Sequence, residues 1–433
     1  MTAADTAPAK PAAATSPDRT HRTRAWTVVV LLVVFMMVNF ADKSVLGLAA
    51  DEIRADLDLS ATQFGLANSA FFLLFSVAAI VVSMYADKVR PATVILMMAV
   101  LWSVAQVPPA VGGGLGVLVG SRILLGAAEG PAFPVAQNTA LSWFPDHRRN
   151  LPGALVTLGI TLGVITAAPG LTWVIDNHGW RTALWVLAVL GAVWAVAWHF
   201  LGGHGAYRTD DRAPAVTEEP AAADVTYRRI FRTRTWLAVT GAYFTGYWAV
   251  ALMLVWLPSY LKNALDYSSA EAGRLVVIPW AVGAVVLMAQ AGVTGRLMRR
   301  GVDTRWARGG VGGAMLLIGA VCCLCVPLVD GAGAKVAALS LGLGFGGSYA
   351  AVAVTTISEL APARRAGGAL GVMNAVTTTA GLIAPAVVGV MVDKQGDTGY
   401  QNAIIATGVL LVVGGLVSTT LVNPARDRAK LNA

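Results

Sequence analysis

The sequence is poor in charge. Only 13% of its 433 residues are Asp, Glu, Lys or Arg, whereas 56% are hydrophobic. A soluble globular chain carries about 25% charged residues. This shortage excludes an ordinary soluble protein and predicts a chain that crosses a membrane many times.

Cysteine is also scarce, and its placement excludes two further classes. The three cysteines, Cys322, Cys323 and Cys325, share one apolar stretch, and no histidine lies near them. That spacing is too tight for a disulfide framework, and a metal site would need ligands from elsewhere. We therefore predict small packing residues in a helix and no metal site. No Walker A sequence is present, so we expect neither ATP nor any other cofactor.

Apolar runs of about twenty residues, the length that spans a bilayer, recur twelve times. A polar segment rich in Pro and Ala separates the sixth run from the seventh. The predicted fold is an all-α membrane protein with two six-helix bundles. Its predicted parts are a disordered cytoplasmic tail (1–25), the N-terminal bundle (26–201), a cytoplasmic linker (202–234), the C-terminal bundle (235–422) and a cytoplasmic tail (423–433).

Charge bias and an internal repeat predict the topology. Most of the 32 Lys and Arg residues fall in segments on the same side as the N-terminus, which predicts that both termini are cytoplasmic.

The segment 145–155 matches 362–370, and both join an even helix to the next odd helix. The halves are therefore parallel repeats about a pseudo-two-fold axis along the membrane normal. Pairs of glycines four residues apart, at 159/163 and 367/371, predict close helix packing in both halves.

Four ionisable residues interrupt the apolar runs of the first half. Arg122 and Glu129 lie in 116–145, seven residues apart and thus on one helix face, and Asp42 and Lys43 lie in the first run. Charges at membrane depth are costly, so they indicate a functional site. The alternative is that they only lock the bundle, but four such groups at one level make this the weaker interpretation.

Depth counting at 1.5 Å per residue places Asp42 and Arg122 at similar heights, so an ion pair between them is feasible. Lys43 is then free to attract an anion. Glu129 is flanked by Ala and Gly and has no predicted partner. A carboxyl group that gains and loses a proton is what proton coupling requires, so Glu129 is the candidate for the moving proton.

The second half offers polar and aromatic groups instead of charge. Tyr243 and Tyr247 are one turn apart on one helix face, and Ser348, Asn374 and Thr378 lie in later runs. For a single aromatic residue, packing or interfacial anchoring is the more common role. The asymmetry still suggests that the first half handles charge and protons while the second half recognises the body of the substrate.

Several motifs in order resemble the major facilitator superfamily, and within it the anion:cation symporters. The residues that carry this resemblance across 26–422 are Asp42-Lys43, Arg122 with Glu129, 143–145 before Arg148-Arg149, 179–181, 256–261, and 359–362 leading to Asn374. The resemblance implies proton-driven symport of an organic anion by alternating access. It implies that Asp42 and Glu129 are the proton-linked acids and that Arg122 is the partner of Asp42. It also implies that Lys43 contacts the substrate carboxylate and that Asn374 lines the site.

The chain departs from the family pattern at informative positions. Lys43 stands where the family usually has Arg, so a bidentate clamp becomes a point charge. Phe75 stands where sugar-acid carriers show Tyr, which removes a hydroxyl from the substrate site. These changes favour a less hydroxylated anion, an aromatic or aliphatic carboxylate. The family also has a loop motif on the inner side, which is altered in this chain at 83–91. Its residues Asp87 and Lys88 are expected to hold the inward loops together.

The sequence thus predicts a monomeric transporter, not an enzyme, in the cell membrane. It would import a small organic anion with protons, contact membrane lipids and bind no nucleic acid. Proton-coupled efflux of an amphipathic compound is the alternative in the same class, because the Trp and Phe content allows it. A membrane sensor that transports nothing is the alternative from another class, but the linker and tails supply no signalling domain.

Overall fold

The fold is helical throughout the residues that the structure, a computed structural model, describes: 19–85, 89–145, 148–205 and 225–432. Helices dominate because a chain in lipid must satisfy every backbone polar group internally. The first bundle contains α1 (Arg19–Leu48), α2 (Ala50–Asp56), α3 (Ala61–Tyr85), α4 (Pro91–Val111), α5 (Leu115–Glu129), α6 (Ala132–Leu141), α7 (Asn150–His178) and α8 (Trp180–Leu201).

The second bundle follows a short helix α9 (Tyr227–Phe231). It contains α10 (Arg234–Val255), α11 (Leu257–Asn263), α12 (Ser269–Leu275), α13 (Val277–Arg299), α14 (Val311–Cys325), α15 (Ala332–Gly347), α16 (Ala350–Leu360), α17 (Ala363–Gln395), α18 (Asp397–Leu421) and α19 (Pro424–Asn432). One π-helical turn (Arg305–Gly310) precedes α14. The helix α9 and the ordered residues beside it lie within the segment that the sequence predicts as a linker.

Eleven stretches of the described chain are long and apolar enough to span a membrane. The remaining predicted span is divided between α5 and α6, which meet at Gly130-Pro131. Pro131 has no amide hydrogen, so the backbone hydrogen-bond pattern is interrupted close to the end of α5 at Glu129. Together these spans agree with the predicted twelve-helix architecture. The first helix begins at Arg19 and not at Trp26, so it includes charged residues that precede the apolar run.

Both bundles begin and end at one end of the molecule. Asp427 of α19 accepts hydrogen bonds from the backbone nitrogen and hydroxyl of Thr235, at 2.9 and 2.7 Å, and so caps the start of α10. Burial alone would raise the pKa of Asp427, but hydrogen bonds from Arg426 and Thr235 lower it overall. The C-terminal helix is therefore fastened to the second bundle. We call this the terminal end and the opposite end the distal end.

The two bundles are pressed together at the distal end. Lys262 of α11 contacts Asp51 at 2.9 Å and Glu52 at 3.2 Å, both in α2. Burial alone would lower the pKa of Lys262, but these two carboxylates raise it overall. Asp393 of α17 accepts hydrogen bonds from the backbone nitrogens of Ala61 and Thr62, each at 2.7 Å, and so caps α3 from the other bundle.

Glycine makes the distal contact close. A methyl group added at Gly47 of α1 would overlap the carbonyl oxygen of Leu254 in α10. The bundles thus touch backbone to backbone at this end. Because these contacts lie at the distal end, the structure is closed there.

The two predicted glycine pairs differ in the structure. Gly159 and Gly163 of α7 face the backbone of Val33 and Met37 in α1, so close packing is confirmed in the first bundle. At 367 and 371 an added methyl group would meet no described atom within 4 Å. The prediction of close packing there is wrong. The start of α17 instead packs through its neighbours, where the indole of Trp236 donates to the carbonyl of Ala369.

Candidate functional site

The four predicted ionisable residues lie together inside the first bundle. Asp42 and Lys43 belong to α1, and Arg122 and Glu129 belong to α5. Asp42, Arg122 and Glu129 are 0%, 3% and 1% exposed. Charged groups buried in a membrane segment need partners. The partners in the structure differ from the Asp42–Arg122 pair that depth counting predicts.

Gln106 of α4 stands between Asp42 and Arg122. Its amide nitrogen donates to Oδ1 of Asp42 at 2.9 Å, and its carbonyl oxygen accepts from Arg122 at 2.8 Å. Among the described residues, no direct ion pair joins Asp42 to Arg122, so that predicted pair is wrong. The two residues do share a height, but a carboxamide that is both donor and acceptor fills the space between them.

Lys43 and Glu129 form the direct ion pair. The ammonium group lies 2.9 Å from Oε2 of Glu129 and also donates to the side-chain oxygen of Asn39, one turn earlier in α1. The prediction that Glu129 is unpaired and Lys43 free is therefore wrong. Adjacent residues of a helix point about 100° apart. Asp42 consequently faces Gln106 of α4 while Lys43 faces Glu129 of α5.

Three phenylalanine rings surround the ammonium group of Lys43. Its nitrogen lies 4.5 Å from the ring centre of Phe40, 5.5 Å from that of Phe75 and 5.8 Å from that of Phe71. A cation within about 6 Å of an aromatic ring centre is attracted by the ring. We call Phe40, Phe71 and Phe75 the phenylalanine cage. Phe75, predicted to line the substrate site, is part of it.

Aromatic residues of the second bundle continue from the cage. The ring of Tyr247 stands perpendicular to that of Phe72, with ring centres 6.0 Å apart, and Tyr243 meets Tyr247 edge-on at 6.3 Å. Trp280 of α13 meets Phe40 edge-on at 6.0 Å. The structure thus places the predicted Tyr243 and Tyr247 beside the charged pair, across the boundary between the bundles.

None of the contacts of the described residues joins the other predicted substrate residues of the second bundle to the charged pair. The hydroxyl group of Thr378 pairs with that of Ser76 in α3 at 2.5 Å, a contact between the bundles. Ser348 donates to the carbonyl of Phe345 in its own helix, at 2.8 Å. Asn374 is half-buried, and its carbonyl accepts from Thr378. The predicted latch residues Asp87 and Lys88 lie outside the described residues.

Sequence reasoning missed five residues of the site: Asn39, Phe40, Phe71, Gln106 and Trp280. Two signals were available. Gln106 is the only amide side chain in the apolar helix α4, and a lone amide at membrane depth needs partners. Asn39 lies one helical turn before Lys43, where residues share a face. Phe40, Phe71 and Trp280 lie in apolar runs and do not stand out in sequence.

Comparisons with known proteins agree with this architecture. The model of the Major Facilitator Superfamily matches residues 32–351. The probable sulfoacetate transporter SauU of Cupriavidus necator is 29% identical over 423 residues, covering 93% of this chain and 94% of that protein. The hexuronate transporter of Bacillus subtilis is 27% identical, covering 92% and 94%. The D-galactonate transporter of Escherichia coli is 24% identical, covering 96% and 99%.

Solved structures are similar in fold. A bacterial homologue of the human lysosomal transporter Spinster, in an inward-facing and unoccupied conformation, superposes with a TM-score of 0.77 at 17% identity, covering 94% of this chain and 98% of that one. A D-xylose–proton symporter gives 0.74 at 13% identity, covering 93% and 99%. The family match spans most of the chain, and the helical architecture agrees with it. The chain therefore belongs to the Major Facilitator Superfamily and is a multi-pass membrane transporter, not an enzyme.

Proposed function

We propose that this protein imports a small organic anion together with protons. The observation that carries the proposal is the Lys43–Glu129 pair, buried inside the first bundle next to Phe40, whose ring meets the second bundle. The relatives named as transporters of sulfoacetate, hexuronate and galactonate support an organic acid as substrate. The protein would act as a monomer in the cell membrane with both termini in the cytoplasm. The proton gradient would supply the energy, without a cofactor.

Coupling follows from competition for Lys43. While Glu129 is ionised, it occupies the ammonium group at 2.9 Å. When Glu129 takes up a proton, it loses its charge and Lys43 loses its ionic partner. A substrate carboxylate then replaces Glu129 beside Lys43. Release of the anion and the proton on the other side restores the original pair.

The charges of the site favour one proton for each monovalent anion. Asp42 and Glu129 carry two negative charges, and Lys43 and Arg122 carry two positive charges, so the fully ionised set is neutral. Protonation of Glu129 leaves one excess positive charge, which one monoanion neutralises. A buried site is stable only when its charges are compensated. The loaded and the empty site would then both be neutral, which lets the bundles rock past each other.

Alternating access would use the distal contacts as the outer gate. These contacts close the end that we assign to the outside, so the proposal treats this arrangement as the state from which substrate would leave toward the cytoplasm. Breaking the contacts of Lys262 and Asp393 would open the site to the outside. Conversion between the two states would then carry anion and proton in the same direction.

The test is transport in proteoliposomes with an imposed pH gradient. We expect a labelled organic acid to accumulate when the lumen is alkaline relative to the outside. Glu129→Gln should abolish this accumulation because it cannot lose a proton, while counterflow exchange of the anion continues. Asp330→Asn, at an exposed position near the start of α15, is the matched control and should accumulate normally.

Two results would contradict the proposal. Full gradient-driven accumulation by Glu129→Gln would remove Glu129 from coupling. Accumulation only when the lumen is acidic would mean that anion and proton move in opposite directions. That second result would support proton-coupled efflux instead of import.

A further inference from the structure

We infer that the substrate is a monocarboxylate with a flat, apolar body, for which benzoate and phenylacetate are the simplest probes. The inference rests on the proposed function and concerns the same site. It draws on two observations: the number of cations available to the anion, and the composition of the walls around Lys43.

The available cations match a single negative charge. Of the two buried cations, Arg122 is held by Gln106 at 2.8 Å. Among the cations of the described residues, Lys43 alone contacts the cage. A dianion would bring a second negative charge that neither the cage nor the aromatic residues facing it neutralise, and an uncompensated charge in such a place is costly.

The walls match an apolar body. Phe40, Phe71 and Phe75 surround Lys43 with ring surface, and these rings offer no hydrogen-bond donor or acceptor. Aromatic rings prefer edge-on or offset contacts with other rings. A planar ring attached to the carboxylate would replace the edge-on contacts that Trp280 and Tyr247 now make with Phe40 and Phe72 of the first bundle.

A polyhydroxylated acid fits this site poorly. Among the described residues near the cage, the oxygen of Asn39 already accepts from Lys43, and the hydroxyl groups of Ser76 and Thr378 pair with each other. The hydroxyl groups of Tyr243 and Tyr247 lie on the rings that continue from the cage. A sugar acid carries a hydroxyl on nearly every carbon, and each buried hydroxyl without a partner weakens binding. A site selects a hydroxylated ligand only when its own polar groups match those hydroxyls. The two tyrosines would at most match one substituent at the far edge of a ring.

Competition in the counterflow assay tests the substrate class. Labelled benzoate is exchanged in proteoliposomes against unlabelled benzoate, phenylacetate, D-galactonate, a hexuronate and sulfoacetate. The same anions are added to detergent-purified protein, and the melting temperature is followed. We expect the aromatic monocarboxylates to compete about tenfold better or more than the sugar acids, and to raise the melting temperature most.

Ring variants test the cage itself. Phe40→Leu and Phe75→Leu should each weaken benzoate competition about fivefold or more, since each removes a ring surface. Phe200→Leu is the matched control because its ring is 75% exposed on α8, and it should bind like the parent. Phe75→Tyr keeps the ring and adds a hydroxyl, so it should shift the ratio of competition toward galactonate even where a leucine variant folds poorly.

The outcomes separate this inference from the proposed function. If galactonate or hexuronate competes as well as benzoate and accumulates with the pH gradient, the substrate class is wrong and proton-coupled uptake stands. Tightest binding of sulfoacetate would overturn the single-charge argument in the same way. An unchanged ratio in Phe75→Tyr and in both leucine variants would remove the cage from recognition. If no anion binds or is transported, both proposals fail.

Discussion

The two bundles share a fold but not a chemistry. The first encloses four buried ionisable residues joined through Gln106 and the Lys43–Glu129 pair. The second presents Tyr243, Tyr247 and Trp280 at the same boundary, with no comparable buried ion pair among its described residues. A rocking transporter needs two similar rigid bodies to move against each other. It does not need the same side chains in both, so charge and shape recognition are divided between the halves.

Removing the positive charge of Lys43 in the first bundle should have the largest effect on transport. Lys43→Gln leaves Glu129 buried without its ionic partner and deprives the substrate of its only cation in the cage. Loss of one member of a buried ion pair is strongly unfavourable. We expect anion uptake to fall about 100-fold or more by this principle. Initial rates of uptake and counterflow at saturating anion would measure the loss.

Lys43→Arg is the control for that change. It keeps the charge and adds a planar group that binds carboxylates through two hydrogen bonds. We expect it to retain uptake. Equal loss in both variants would show that shape at this position matters more than charge, and the assignment of charge handling to the first bundle would then be wrong.

Closure between the bundles should be the next most sensitive feature. Gly47→Ala places a methyl group against the carbonyl of Leu254, where the backbones of the two bundles meet. Overpacking of this kind costs about 1–3 kcal/mol, which would disfavour the closed distal end and reduce transport about tenfold. Accessibility of a cysteine introduced at an exposed distal position of α2, measured with a thiol reagent, would report the opening.

A glycine of the terminal end is the matched control for closure. At Gly371 an added methyl group would meet no described atom within 4 Å, so Gly371→Ala should transport normally. Equal impairment in both variants would mean that glycine at either position acts through helix flexibility. The comparison would then not support a gate at the distal end.

The smallest expected effect is that of membrane potential. If one proton accompanies one monoanion, no net charge crosses the membrane in a cycle. Imposing a potassium diffusion potential with valinomycin, at equal pH on both sides, should leave the initial rate of uptake unchanged. A rate that rises with an inside-negative potential would show that more than one proton enters. Asp42 would then be the candidate for carrying the second proton. The argument that the site is neutral both when empty and when loaded would no longer hold.

The sequence by itself determined the class of protein, the number of spans and the group of residues that carry charge into the membrane. Length and hydropathy suffice for the spans because the bilayer has a fixed thickness. The break after Glu129 was not predicted, because the apolar run continues past Pro131 and other prolines of this chain lie inside helices. Charges such as Arg122 stand out because their cost in lipid permits them only at functional or structural sites.

Only the tertiary structure decided which of these groups meet. Counting residues along a helix gives the height of a side chain but not its direction relative to a neighbouring helix. The rotation of α1 turns Asp42 toward Gln106, which replaces the predicted direct pair with Arg122, and turns Lys43 toward Glu129, a pair that was not predicted. The same packing brings Phe40 and Trp280, unremarkable in sequence, to the edge of the site. Such rotations are set by the close packing of all neighbouring helices together, and no single segment of sequence contains that information.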